Sequence, residues 1–365
     1  MVSLRRVNTH AAWCSNYEFE DVIRSVDDVE MVTLEPARAK ELRQRVARGL
    51  AWRSRHLPLP HVNPGVRSVE LSRDYDVFVF VCMNVWDLLF LNAIVGWEKR
   101  CAKKLCYMVE IYAGQMAEIQ HLLRPLEAFD HVFQSFSGSV EAIHHAVTKP
   151  CSHVPLAADL VRFTPYPDPR PRVIDILSIG RRSEPLHQVL RRVANDQRLL
   201  YMYDTIPGPL VRPSNAVEHR EMLATSARQS RLFITFPAKF GDDENKGQSE
   251  VGARYYEAAA AGAVMLGKAP TARAFRSDFP WPDVVIEPKE DGSDLAEVVL
   301  GTLGRPDEMA RASRRNAVAA LRQHDWAHRW RAMLETVAVP PRPALGERVR
   351  KLDALADGAA QTGVL

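Results

Sequence analysis

Ser249-Glu250-Val251-Gly252-Ala253-Arg254-Tyr255-Tyr256-Glu257-Ala258-Ala259-Ala260-Ala261-Gly262 runs from a polar loop into a short alanine-rich helix. Good helix formers carry the helix, Gly262 is placed to stop it, and Ala263-Val264-Met265-Leu266-Gly267 reads as the next strand. Glu257 is the odd residue. A carboxylate inside an apolar run that packs on a sheet requires a hydrogen-bonding partner, and a ligand hydroxyl is one such partner. Gly252 and Ala253 put free backbone N–H groups at the helix start, where anions bind. The competing reading is a surface glutamate on an amphipathic helix, which the apolar neighbours oppose.

Outward from this segment, short apolar runs alternate with helical ones. Val77–Val81, Leu105–Val109 and His131–Phe136 read as strands buried on both faces, with helices expected over Trp86–Arg100, Met116–Ala128 and Ser137–His145. Thr164-Pro165-Tyr166-Pro167-Asp168-Pro169-Arg170-Pro171 is a proline-rich linker. A second alternation follows, with strands at Val173–Ile179, Leu199–Asp204, Leu232–Phe236 and Val284–Ile286, and helices at Glu184–Ala194, Glu218–Gln229 and Asp294–Leu303. Two α/β domains with doubly wound parallel sheets are expected. The proline loops Pro58–Pro64 and Pro207–Pro213 read as turns only.

At 365 residues the chain is long for one core and suited to two. Its 48 basic and 45 acidic residues leave too small an excess to argue for nucleic acid, and the arginines look dispersed. Five cysteines (Cys14, Cys82, Cys101, Cys106, Cys151) without CxxC spacing argue against a disulfide framework or structural zinc, and make a reducing cytoplasm the default. Neither a signal peptide nor a membrane span is visible, and no basic amphipathic stretch stands out, which favours a soluble acceptor.

A second constellation, Ser178-Ile179-Gly180-Arg181-Arg182, sits where a strand ends and a helix begins, the place where open α/β sheets bind ligands. Gly180 lets the backbone approach a ligand, and the arginines suit phosphate oxygens. Alone it reads as a basic turn. Paired with the opening segment in the same domain, it reads as half of a site for a nucleoside diphosphate.

These pieces, in order, resemble the retaining glycosyltransferases of the GT-B fold, family four. Val154-Pro155-Leu156-Ala157-Ala158-Asp159 with Arg162-Phe163-Thr164-Pro165 resembles that family's crossing between domains. Ile179-Gly180-Arg181 resembles its glycine-arginine pair, and Gly252–Gly262 its glutamate motif. Ile286-Glu287-Pro288 with Asp294-Leu295-Ala296 resembles the strand and helix that follow, and His324-Asp325-Trp326 with Arg329-Trp330 the closing tryptophan helix. The resemblance covers about Val154 to Leu334. It implies two Rossmann-like domains facing across a cleft. Residues 1–157 would be the acceptor side and 158–338 the donor domain, with the last helix free to cross back. Residues 339–365 read as a linker and loosely held helix.

The resemblance also implies roles. The counterpart of Glu257 binds the nucleotide ribose, and that of Arg181 the diphosphate, with Arg182, Gly252 and Ala253 beside it. The family's first glutamate, which touches the donor sugar, falls in register on Ser249, with Glu250 one residue later. The family's lysine is replaced by Leu186 and His187, leaving Arg182, Lys239, Lys246 or Arg254 to supply its charge, with Arg254 best placed. On the acceptor side, Trp13 and Tyr17 offer rings to a sugar or cyclic acceptor, or are core aromatics. Glu110 is an acceptor-side base, a ligand for a sugar hydroxyl, or a cap for the helix that follows. Asp242-Asp243-Glu244 reads as a solvated loop, His219-Arg220 as helix surface, and no metal ligand set is seen. The expected function is transfer of a sugar from a nucleotide-diphosphate sugar to an acceptor hydroxyl or amine, without a further cofactor. A sugar-nucleotide epimerase or a non-catalytic sugar-nucleotide binder on the same fold are the alternatives.

Overall fold

The computed structural model describes residues 1–58, 61–206 and 211–361. Parts of both proline loops and the last four residues of the tail lie outside the described residues. The chain forms two compact units: unit 1 is Met1–Thr9, Asp28–Pro155 and Ala332–Pro340, and unit 2 is His10–Asp27, Leu156–Arg331 and Pro341–Leu365. The expected boundary near residue 157 falls beside the Pro155/Leu156 crossing. Three segments are redistributed: His10–Asp27 and Pro341–Leu365 belong to unit 2, and Ala332–Pro340 belongs to unit 1. Among the described residues no helix is long and apolar enough to cross a membrane.

Unit 1 is built on six parallel strands, β1 (Val2–Ser3), β2 (Val32–Thr33), β4 (Tyr75–Cys82), β6 (Cys101–Met108), β7 (His131–Gln134) and β8 (Cys151–His153), in the order β2-β1-β4-β6-β7-β8. Its centre is β4, whose Val-Phe-Val-Phe-Val run pairs Val79 with Leu105 and Phe80 with Cys106. β3 (Val69–Glu70) and β5 (Ile94–Val95) form a small separate sheet. Phe78, Trp97 and Phe129 pack ring on ring, with centroids 4.9 and 5.0 Å apart. The expected helix over Trp86–Arg100 is a tighter 3-10 helix, Val85–Ala93, capped by Asn84 and Asp87, and it gives way to β5. Likewise Met116–Ala128 splits into α3 (Met116–Ile119) and a 3-10 stretch, Gln120–Ala128, containing Pro125, whose ring removes a helical donor. α4 (Val140–Ala146) follows β7. α2 (Lys40–Arg53), a helix with no clear apolar stripe in the sequence, turns Ala47 and Ala51 inward.

Unit 2 holds five parallel strands, β9 (Ile174–Ser178), β10 (Tyr201–Tyr203), β11 (Ser230–Thr235), β12 (Val264–Gly267) and β13 (Val285–Ile286), in the order β10-β9-β11-β12-β13. Around them stand α1 (Cys14–Val26), α5 (Leu160–Phe163), α6 (Glu184–Gln197), α7 (Ala216–Arg228), α8 (Ala253–Ala260), α9 (Arg273–Asp278), α10 (Leu295–Leu303) and α11 (Pro306–Gln323). α12 (Trp326–Thr336) runs across the Arg331/Ala332 crossing, and α13 (Pro343–Gln361) closes the described chain. Leu345, Leu352 and Ala356 of α13 are fully buried, and Arg348 binds Asp325 and Asp159 at 2.7–2.8 Å. The tail is therefore anchored in unit 2.

The opening segment folds as its residues dictate. α8 ends in a Schellman turn: Ala263 N–H donates to Ala258 O and Gly262 N–H to Ala259 O, both at 2.9 Å. Gly262 has φ +64°, and a Cβ there would meet Ser313 O at 2.9 Å. β12 ends at Gly267, where φ is +151° and a Cβ would lie 2.0 Å from Thr235 O, so only glycine lets β12 end against β11.

Candidate functional site

The site lies at the carboxyl ends of the unit 2 strands. After β9 the chain turns at Gly180, with φ +92°, and Gly180 N–H donates to Asp204 Oδ2 at 2.6 Å. Arg182 donates to Asp204 O at 2.7 Å and lies over the Tyr203 ring. Arg181 pairs with Asp242 at 3.1 Å, so the acidic loop holds one of the expected phosphate ligands.

Arg254, in the first turn of α8, lies across this turn. Its Nε donates to Ile179 O at 2.9 Å, and a Cβ at Gly180 would sit 3.4 Å from Nη2. The left-handed φ of +92° is what calls for glycine here; a Cβ would touch the guanidinium at ordinary van der Waals distance. Arg254 Nη1 donates to Glu257 Oε2, and Arg220 Nη1 to Glu257 Oε1, so both oxygens of Glu257 are held by guanidiniums. Arg220 turns its other edge to Glu18 as a bidentate fork, at 2.8 and 2.9 Å. Glu18 also accepts from Asp159 N–H at 2.9 Å, Arg162 at 3.2 Å and Trp326 Nε1 at 3.2 Å. The Arg220 guanidinium rests over the Phe163 ring, 4.8 Å from its centroid.

Glu18, Arg220 and Glu257 are each at most 2% exposed, whereas the Arg254 side chain keeps 27% of its surface open. Buried charges persist only when paired. This row pairs them alternately, from α1 through α7 and α8 to an open cation above Gly180. Burial by itself pushes the Glu257 carboxyl up, but Arg254 and Arg220 outweigh it and hold it at about 2. Burial works against the Arg220 charge as well, and Glu18 and Glu257 override it and raise its pKa.

Arg220 corrects the sequence reading, which put it at the helix surface. Its signal was its position: Arg220, Leu223, Ala224 and Ala227 recur at the spacing of one helix face, and all four are buried. His219 beside it is also shielded; its Nδ1 has no partner, and burial lowers its pKa.

Of the other expected residues, Gly252 caps α8, with Ala253 first in the helix. Ser249 is partly exposed, and its Oγ accepts from Thr271 N–H at 3.2 Å. Glu250 is 2% exposed and accepts from Gln248 at 2.7 Å. Lys239 pairs with Glu244. Where the family's lysine stands, Leu186 and His187 are buried, with His187 Nδ1 2.8 Å from Tyr201 Oη. Trp13 and Tyr17, expected on the acceptor side, belong to unit 2, where they stack at 6.3 Å and are 8% and 3% exposed. Glu110 lies in unit 1 just past β6, its N–H bonded to Met83 O at 2.7 Å.

Residues 190–335 match a family model described as Glycosyl transferase-like. No curated protein matches the chain in sequence. Among solved structures the chain is similar to an alpha-glucosyltransferase in complex with UDP-glucose and DNA containing an abasic site. The identity is 9% and the TM-score 0.51, covering 92% of this chain and 98% of that one. An alpha-glucosyltransferase with UDP and a 13-mer DNA containing a HMU base gives 10%, 0.50, 92% and 98%. TarM is more distant, at 10% identity and TM-score 0.43 over 70% of this chain and 54% of its own. At such identities the likeness speaks to fold alone. The chain thus has the GT-B fold, two parallel α/β sheets of six and five strands, with a glycosyl transferase-like domain in its C-terminal half.

Proposed function

We propose that this protein transfers a sugar from a nucleotide-diphosphate sugar to an acceptor hydroxyl, with retention of configuration. The donor diphosphate would lie between the Gly180 turn and the N-terminus of α8, with Arg254 as its principal cation. The observation that carries this reading is the Arg254 guanidinium over Gly180, 27% open and fixed from behind by Glu257. A cation and helix-terminal amides aimed at the same point stabilise the charge that develops on a leaving diphosphate. Arg181 and Arg182 flank that point, and Arg181 is released to phosphate by giving up Asp242.

Glu257 acts here first as the residue that positions Arg254. A ribose hydroxyl would reach its carboxylate in exchange for a guanidinium bond. Ser249 is the open candidate for orienting the sugar, while Glu250 would need its loop to move. The retaining outcome rests on the resemblance of the Gly252–Gly262 segment and requires no paired-carboxylate scheme. The similar alpha-glucosyltransferase is seen with DNA, so nucleic acid belongs among the acceptors tried.

The test is release of nucleoside diphosphate from a panel of nucleotide sugars, with and without glycan, small-molecule and DNA acceptors. Turnover of at least one donor, abolished in Arg254→Ala, supports the proposal. Donor binding without turnover on any acceptor would make the protein a binder, and loss of neither binding nor turnover in Arg254→Ala would refute the site.

A further inference from the structure

Helix α2 of unit 1 is built the opposite way from an ordinary surface helix. Its inward face carries Ala47 and Ala51, at most 1% exposed, while its outer face carries Leu42, Val46 and Leu50, at 61%, 48% and 44%. These three stand four residues apart, one above another. Just beyond, Trp52 and Leu57 are exposed by 40% and 65%. Soluble surfaces rarely expose a continuous row of large aliphatic side chains without a use for it.

The charge is as unusual. Between Arg38 and Arg55 there are seven basic residues and one acid, Glu41. The whole chain carries only +3, so outside this segment acids outnumber bases. At 3.6 residues per turn Arg53 falls beside Leu42, Arg43 beyond Leu50, and Arg45 on the other flank. All three arginines are exposed and rim the aliphatic row. In the sequence these arginines look dispersed and the stretch does not stand out as amphipathic, because only the fold shows which side of the helix faces out.

We infer that α2 docks unit 1 on an anionic phospholipid surface, lying in the plane of the headgroups. The helix is roughly 21 Å long. In that pose Leu42, Val46 and Leu50 enter the headgroup–acyl boundary while the arginines reach lipid phosphates, so both halves of the face are used. A nucleic acid would use the arginines and leave the aliphatic row facing phosphate or water. A second copy paired about a twofold axis would bring two sets of arginines together. The inference is independent of the donor site, and it replaces the expectation of an acceptor met away from membranes.

The experiment is flotation of the full chain with vesicles of phosphatidylcholine alone and of phosphatidylcholine mixed with phosphatidylglycerol, at low and high salt. The variants are L42S/V46S/L50S and R43Q/R45Q/R53Q. All six positions are exposed, and circular dichroism checks that the folds are kept. Expected are flotation with the anionic vesicles only, weakened by salt, a loss of about a hundredfold in partition for the arginine variant, and a loss of about tenfold or more for the aliphatic one. Three results would overturn the inference. One is no flotation of the wild type with anionic vesicles. Another is duplex DNA binding that the arginine variant loses and the aliphatic variant keeps, with no vesicle binding. The third is a wild-type dimer that the aliphatic variant converts to monomer.

Discussion

Arg220→Met removes the hub of the buried charge row and keeps most of its apolar volume. The wild-type guanidinium makes two bonds to Glu18, at 2.8 and 2.9 Å, and one to Glu257, and all three side chains are almost wholly buried. The variant leaves Glu18 with Asp159 N–H, Arg162 and Trp326, and Glu257 with Arg254 alone. Removing one partner of a buried ion pair costs about 3–5 kcal/mol, a large share of the 5–15 kcal/mol by which domains are roughly stable. The acid limb gives a second, signed readout. The Glu257 carboxyl is held at about 2 against an ordinary 4.5, with burial raising it and Arg254 and Arg220 more than offsetting that. A depressed carboxyl stabilises the fold above its unfolded pKa and loses that contribution as pH falls through the folded one. The interval is worth about 3 kcal/mol, lost between about pH 5 and pH 2. In Arg220→Met the Glu257 carboxyl rises, so part of that stabilisation is already missing at neutral pH. Urea unfolding followed by tryptophan fluorescence from about pH 3 to pH 7 measures both effects. An Arg220→Met protein within about 1 kcal/mol of wild type at neutral pH, with an unchanged acid limb, would refute the reasoning.

Gly180→Ala strains a backbone at φ +92° and sets a Cβ in van der Waals contact with Arg254 Nη2, at 3.4 Å. It should cost about 1 kcal/mol of stability and weaken nucleoside diphosphate binding about tenfold, read by melting and calorimetry. Gly267→Ala forces a Cβ to 2.0 Å from Thr235 O between two paired strands, and should cost about 3 kcal/mol or more, read as loss of soluble protein or a lowered melting temperature. Arg348→Ala removes the bonds to Asp325 and Asp159 and leaves Asp325 buried, so it should destabilise by about 2–4 kcal/mol and open α13 to limited proteolysis.

The sheets were legible because their strands are continuous apolar runs: the Val77–Val81 and Leu232–Phe236 readings fall within two residues of the ends of β4 and β11. The segment around Glu257 was legible because its helix, glycine stop and strand are all local. The partners of Glu257 were not. Arg220 stands 37 residues away, and Glu18 a further 202 from Arg220, so only the packed fold brings them together. The same distance hid the place of His10–Asp27. Its aromatics Trp13 and Tyr17 read as acceptor-side because they stand within the first 157 residues, yet the chain delivers them to unit 2. Val85–Ala93 and α2 show the remaining gap, since an apolar stretch does not say how tightly it coils, nor a basic helix which side it turns outward.

The central claim is that Arg254, held over Gly180 by Glu257, binds the diphosphate of a nucleotide sugar. Calorimetric titration of nucleoside diphosphates into the wild type and Arg254→Ala tests it most directly. At least one nucleoside diphosphate should bind the wild type, and the variant should lose about 1.5–3 kcal/mol, ten- to a hundredfold in affinity. Binding of none to the wild type, or equal binding by both proteins, would contradict the account.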